Sequence, residues 1–83
     1  MLIRSQNKQN IFNINSIDGI GFSDRYTTCE LFVAVNGREY TLGIYSSKEK
    51  AIQVLDMIEK EYVTSFGTNV VFYMPEENFQ LEV

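Results

Sequence analysis

The chain has 83 residues, 45% of them hydrophobic and 13% aromatic, and a formal net charge of −4. This length favours one domain over residues 1–83, and the composition is typical of a globular protein rather than a disordered one. Without any histidine, a Ser-His-Asp triad and a Cys-His dyad are excluded, and the single cysteine allows neither an intramolecular disulfide nor a structural zinc site.

The negative charge lies in the second part of the chain. Residues 1–45 are electrically balanced, whereas residues 46–83 carry three lysines against seven acidic residues. Because duplex binding needs a basic patch, we expect no direct DNA binding. No apolar run is long enough to cross a membrane, and no signal-like segment opens the chain, so the sequence predicts a cytoplasmic protein without metal or cofactor.

Short strands are predicted in the first part of the chain. Met1 to Ser5 has the pattern of a first strand, and a polar turn over residues 6–10 leads to a second strand between Ile11 and Ile17. The turn-forming pair Asp18-Gly19 then precedes a third strand, which we expect to end at Ser23.

A hairpin is predicted around Asn36-Gly37, because a two-residue type I′ turn requires positive φ at both central positions. Counting back from this turn gives pairs that would share the core face of the sheet: Val35 with Arg38, Val33 with Tyr40, Leu31 with Leu42 and Cys29 with Ile44. On this register Phe32 and Tyr45 lie on the opposite face, where they would be either partly covered by other strands or available to a partner.

An amphipathic helix is predicted over residues 46–66. Ser46 followed by Glu49 has the spacing of a capping box, and Gly67 is placed to end the helix in the left-handed conformation. One face of this helix carries an apolar stripe, made of Ala51, Val54, Leu55, Ile58 and Tyr62.

A last strand is predicted over residues 69–74, which Pro75 ends. The fold class is therefore α+β, with an antiparallel sheet of four to six strands packed against a single helix and a further strand after it. A small domain without disulfide or metal gains stability from self-association, so we expect a homo-oligomer. Residues 70–74 and the alternating apolar side chains at 79, 81 and 83 are the predicted interface.

Catalytic signatures are missing from the sequence. The glycines form neither a GxGxxG motif nor a P-loop, and Cys29 is interpreted as a small buried hydrophobic residue, so we predict that the protein is not an enzyme.

A ligand site is nevertheless a hypothesis, because arginine binds phosphate in bidentate fashion and tyrosine stacks on bases. The candidates from residue chemistry are Arg4, Arg25, Tyr26, Arg38 and Tyr45. The alternative is that the arginines form surface salt bridges with nearby acids such as Asp24 and Glu39.

Four segments carry a resemblance to known proteins: Met-Leu-Ile-Arg-Ser-Gln at residues 1–6, Ile-Asn-Ser-Ile at 14–17, the run from Leu42 to Asp56, and Phe-Tyr-Met-Pro at 72–75. The chain resembles small prophage-encoded proteins of low-GC Gram-positive bacteria, most of which have no assigned function. The resemblance implies a phage accessory protein and adds Gln6 to the candidate ligand-binding residues, with Ser5 and Met74-Pro75 as further positions of interest.

Two functional hypotheses follow. The first is a non-catalytic phage or prophage accessory binding protein that counters host defence in the host cytoplasm, either by sequestering a signalling nucleotide or by masking a host protein. The alternative is a self-assembling structural or protein-interaction module with no small-molecule ligand.

Overall fold

The computed structural model describes residues 1–65 and 69–79, which contain six strands and one α-helix. In chain order these elements are β1 (Leu2–Arg4), β2 (Ile11–Asn13), β3 (Gly19–Asp24), β4 (Cys29–Val35), β5 (Arg38–Tyr45), α1 (Lys48–Ser65) and β6 (Val71–Tyr73). A single 3₁₀ turn over Ile14–Ser16 follows β2. The α+β class predicted from the sequence is confirmed. No helix in the described part of the chain is long and apolar enough to cross a membrane.

The strands form two separate three-stranded sheets, which the sequence did not indicate. We call the sheet with strand order β3-β4-β5 the hairpin sheet, because its consecutive strands are all antiparallel. We call the other the terminal sheet, in which the central β1 pairs antiparallel with β2 and parallel with β6. The terminal sheet therefore unites strands from opposite ends of the chain.

The turn of the hairpin sheet is the predicted one. Asn36 and Gly37 have φ values of 51° and 80°, and Val35 faces Arg38 across the turn. The next pairs, Ala34 with Glu39 and Val33 with Tyr40, also match the predicted register. Local turn chemistry thus sets the pairing near the turn.

A β-bulge changes the register farther from the turn. Phe32 faces Thr41 but Leu31 faces Gly43, so Leu42 is the extra residue of β5. The predicted pairs of Leu31 with Leu42 and of Cys29 with Ile44 are therefore wrong, since Cys29 faces Tyr45 instead. The bulge exchanges the two faces of β5 beyond Leu42: Ile44 is 45% exposed, whereas Tyr45 is fully buried.

The helix begins one residue later than its predicted cap indicates. The Lys50 amide donates to Ser47 Oγ at 3.2 Å, so Ser47 is the N-cap, and the prediction of Ser46 is wrong. The Ser46 amide donates instead to the Glu77 carboxylate, at 2.9 Å to Oε2. The predicted cap at Gly67 lies outside the described residues.

The apolar stripe of α1 covers the hairpin sheet as expected, because Ala51, Val54 and Ile58 are buried and Leu55 packs partly buried against the core. Tyr62 is 50% exposed, so its prediction as a stripe residue is wrong. The core between the helix and both sheets consists of Ile3, Cys29, Leu31, Val33, Leu42, Tyr45, Ala51, Val54, Ile58 and Met74. The burial predicted for Cys29 is confirmed.

The predicted oligomer interface is in part engaged within the chain. Val71–Tyr73 pairs with β1, and the Phe79 ring packs edge-on against Tyr45 with centroids 5.7 Å apart. The predicted contacts at residues 81 and 83 lie outside the described residues.

Candidate protein-binding surface

Two of the predicted ligand residues, Gln6 and Tyr45, lie together at the junction between the two sheets. The Gln6 side chain donates to the carbonyls of Ile44 and Pro75, each at 3.2 Å, and its Oε1 accepts from the Ile44 amide at 3.0 Å. The Tyr45 hydroxyl donates to the same Pro75 carbonyl at 2.7 Å. Both side chains are therefore occupied in holding β5, β1 and the segment after β6 together.

Burial removes Tyr45 from the candidate stacking residues. Its ring is fully buried, and burial, reinforced by Glu77 and Glu76, raises the pKa of its phenol far above the ordinary value. The tyrosine predicted to stack on a base is thus a core residue of this structure.

Arg25 and Tyr26 lie side by side in the loop between β3 and β4. Arg25 donates through Nε to Glu30 Oε1 at 2.8 Å, and Thr41 Oγ1 donates to the other oxygen of the same carboxylate. These bonds hold the pKa of Glu30 below its ordinary value, with Thr41 the largest cause and Arg25 next among those that lower it, although burial opposes them. Tyr26 is completely exposed.

The ion pair agrees with the salt-bridge alternative for Arg25, although its acidic partner is Glu30 rather than Asp24 or Glu39. Arg38 is exposed at the β4–β5 turn, and Arg4 ends β1 in the other sheet. Arg25 thus lies on a loop and Arg38 at the start of β5, both in the hairpin-sheet part of the chain, whereas Arg4 lies in the terminal sheet. The geometry does not gather them around one ligand.

The terminal sheet has one face against the core and one face away from it. Its middle row, Phe12, Ile3 and Phe72, packs into the core, and Ile3 is fully buried. Because side chains alternate along a strand, the rows on either side point outward. These outward residues are Leu2, Arg4, Ile11, Asn13, Val71 and Tyr73.

We call Leu2, Arg4, Ile11, Val71 and Tyr73 the Arg4 face. Arg4 is central in its row, with Ile11 on one side and Tyr73 on the other. Ile11 is 53% exposed and Tyr73 is 63% exposed, and none of the four apolar members packs against the core. An exposed apolar patch with an arginine and a tyrosine has the composition of a protein-binding hot spot.

The turn between β1 and β2 orients the Arg4 side chain. Its guanidinium donates to the Lys8 carbonyl, at 2.9 Å from one terminal nitrogen, and Lys8 has a φ of 66°. The buried Ser5 hydroxyl fixes this turn by donating to Asn7 Oδ1 at 2.7 Å and accepting from the Asn10 amide at 3.1 Å. The arginine is thus held toward this turn by a backbone acceptor rather than by a charge.

Within residues 1–65 and 69–79, Arg4 has no carboxylate partner, whereas Arg25 and two lysines form ion pairs. Lys8, beside it, is paired only loosely with Glu76, at 3.9 Å. The guanidinium keeps further N–H donors, because two of its nitrogens share a single carbonyl. The Arg4 face therefore presents a positive charge inside an apolar rim.

A small groove lies beside the junction, lined by Gln6, Asn7, Thr41, Leu42, Gly43 and Ile44, with a volume of about 100 Å³. Small-molecule sites usually measure about 300–1,000 Å³, so this groove is small for a nucleotide. In the described ranges no three acidic, cysteine or histidine residues cluster as metal ligands would. Burial raises the pKa of the Cys29 thiol, which makes it a poor nucleophile.

Tyr73, Ile11, Leu2 and Val71 were not among the predicted site residues. Strand alternation around the inward-facing Ile3 and Phe72 was a usable signal, because it places their neighbours on the outer face. The parallel pairing of β1 with β6, which brings Tyr73 beside Arg4, has no local signature in the sequence.

Comparison with protein-family models, curated proteins and solved structures found no match to this chain.

Proposed function

We propose that this protein is a non-catalytic binding module that recognises another protein through the Arg4 face. The observation that supports the proposal is the setting of Arg4. This arginine has no carboxylate partner in the described part of the chain. It lies between the exposed side chains of Ile11 and Tyr73 on the paired strands of the terminal sheet. Because strand pairing already fixes the backbone positions of these residues, binding loses little backbone conformational entropy.

The chemistry of the face defines the partner. An arginine fork binds a carboxylate with two parallel hydrogen bonds, and the apolar rim excludes water from that contact. The partner segment should therefore present an aspartate or glutamate between apolar side chains. The resemblance to prophage-encoded proteins supports a host defence protein as this partner, which would be masked in the host cytoplasm.

Sequestration of a signalling nucleotide receives less support. That function requires several of the predicted ligand residues to converge, whereas the arginines lie on separate elements and Tyr45 is buried. Masking of a protein requires only the single face described here.

Site-specific crosslinking tests the proposal. The photo-reactive residue benzoyl-phenylalanine would replace Tyr73 in one variant and the fully exposed Tyr26 in another, and each would be irradiated in a lysate of a low-GC Gram-positive bacterium. We expect one protein, identified by mass spectrometry, to crosslink at position 73 and not at position 26.

Charge reversal supplies the matched control. Arg4→Glu should abolish the crosslink at position 73. Arg38→Glu makes the same charge change at another arginine at a strand end, and it should leave the crosslink unchanged. With the purified partner, Arg4→Ala should weaken binding by at least about tenfold. Equal crosslinking at both positions, or a crosslink that does not depend on Arg4, would overturn the proposal.

A further inference from the structure

The hairpin sheet offers a second interaction surface, the outer edge of β3. An edge strand presents unpaired backbone N–H and C=O groups to any strand that approaches, and stable monomers protect such edges. Four strands lie at the edges of the two sheets: β2, β6, β3 and β5. They differ in how far they are protected.

Three of these edges are protected. At β5 the Gln6 backbone amide donates to the Leu42 carbonyl at 2.7 Å, and the Gln6 side chain binds both the amide and the carbonyl of Ile44. β2 and β6 have only three residues each, and Pro75 follows closely after β6. Short length and proline are both known protections against edge pairing.

β3 carries none of these protections. It has six residues, Gly19–Asp24, with no lysine, arginine or proline among them. In the part of the chain that the structure describes, strand pairing reaches β3 only from β4. None of its residues is buried, so both its side chains and its outer edge are accessible.

We propose that β3 pairs along this edge with β3 of a second copy of the chain, antiparallel and with twofold symmetry. The pairing would join two three-stranded hairpin sheets into one sheet of six strands. A twofold interface closes on itself, so it gives a dimer rather than a fibre.

The charges at the two ends of the strand favour a second copy in this orientation. Asp18 precedes β3, whereas the other end carries Asp24, the last residue of the strand, and Arg25, which is 60% exposed although it pairs with Glu30. Antiparallel pairing brings the Arg25 end of each strand beside the Asp18 end of the other. Parallel pairing would instead place the two Asp18 side chains together.

The side chains of β3 permit close approach on both faces. Gly19, Gly21 and Ser23 share the outer face, where the Phe32 ring lies over Gly21 and Glu30 faces Ser23 on the neighbouring strand. On the core side Ile20 and Phe22 are only partly buried and pack against the core. A second copy would cover these two side chains, which adds apolar burial to the backbone hydrogen bonds.

Native mass spectrometry and light scattering over a wide concentration range test the dimer. We expect the wild-type chain to show twice the 9.6 kDa of one chain and to dissociate on dilution. Ser23→Lys should raise the dissociation constant by at least about tenfold, because a lysine within an edge strand opposes its pairing with another strand. Thr64→Lys adds the same charge on the exposed side of α1 and should leave the constant unchanged.

Amide hydrogen exchange of the wild-type protein gives a test that does not depend on a variant. The amides of β3 should exchange more slowly at high than at low protein concentration, whereas those of β6 should not respond. A wild-type chain that stays monomeric, or a dimer equally sensitive to Ser23→Lys and Thr64→Lys, would overturn the inference. Because β3 and the Arg4 face belong to different sheets, crosslinking at position 73 is expected to survive Ser23→Lys, so the two proposals fail separately.

Discussion

The two sheets of this protein are built from contacts of very different range along the chain. The hairpin sheet uses three consecutive strands, Gly19–Asp24, Cys29–Val35 and Arg38–Tyr45, each antiparallel to the next. The terminal sheet pairs Leu2–Arg4 with Val71–Tyr73, so it forms only when distant parts of the chain meet. Local pairing costs little loop-closure entropy, whereas the distant pairing depends on the fold that the hairpin sheet and α1 provide.

This difference predicts unequal local stability. The hairpin sheet supplies half of the ten buried core residues, whereas the terminal sheet contributes Ile3 and half-buried neighbours. The two are connected at the Pro75 carbonyl, which accepts from both Gln6 and Tyr45. We therefore expect damage in the hairpin sheet to unfold the whole protein and damage at the junction to release the terminal sheet first.

The largest expected effect is in the core of the hairpin sheet. Leu42→Ala removes a side chain that is 1% exposed and should destabilise the protein by about 2–5 kcal/mol in denaturant unfolding. Ile44→Ala is the matched control. Because the bulge leaves Ile44 45% exposed, this substitution should lower the free energy of unfolding by less than about 1 kcal/mol. Equal costs for the two variants would contradict the bulge and support the regular register.

A smaller effect is expected at the junction. Tyr45→Phe removes the hydroxyl that donates to Pro75 but leaves the Gln6 donor in place, so it should cost about 1 kcal/mol. Amide exchange should show a greater loss of protection in Val71–Tyr73 than in β4. A uniform loss across both sheets would mean that the terminal sheet does not open independently.

The outer face of the hairpin sheet should respond to acid. Since the folded-state pKa of Glu30 is held below its ordinary value of 4.5, chiefly by Thr41, its carboxylate stabilises the protein fully above pH 4.5. This contribution should be lost as the pH falls from 4.5 through the lower folded-state value. Glu30→Gln should therefore be less stable than wild type at neutral pH, with the difference shrinking in acid. A difference that does not change with pH would contradict this assignment.

The smallest effect on stability is expected at the Arg4 face. Tyr73→Ala should change the free energy of unfolding by no more than about 0.5 kcal/mol, because the side chain is 63% exposed and does not pack against the core. The neighbouring Phe72→Ala should cost more, since Phe72 packs partly buried against the core. If Tyr73→Ala is as damaging as Phe72→Ala, the face is structural rather than free for a partner.

Sequence reasoning succeeded where local chemistry determines the structure. Asn36-Gly37 specified its turn through positive φ, and the 3.6-residue period located the buried face of α1. It failed where one extra residue changes register: the bulge at Leu42 moved Tyr45 into the core and Ile44 out of it. Gly43, directly after Leu42, was a usable signal, because an isolated glycine inside a strand often marks a bulge.

The candidate site was predictable only in part. Arg4 was identified from its chemistry, and of the two candidate stacking tyrosines Tyr26 is exposed whereas Tyr45 is buried. The surroundings of Arg4 depend on the parallel pairing of β1 with β6, a contact between distant segments that periodicity does not reveal. The choice between Ser46 and Ser47 as helix cap was likewise decided by a distant residue, because Glu77 binds the Ser46 amide.

The parallel pairing also orders events during synthesis on the ribosome. The three strands of the hairpin sheet are translated before α1, and β6 is translated after it. Until Val71–Tyr73 has emerged, β1 lacks one of its two neighbours and Tyr73 cannot stand beside Arg4. A nascent chain therefore carries no complete Arg4 face, so the recognition proposed for this face would begin only once β6 has been released.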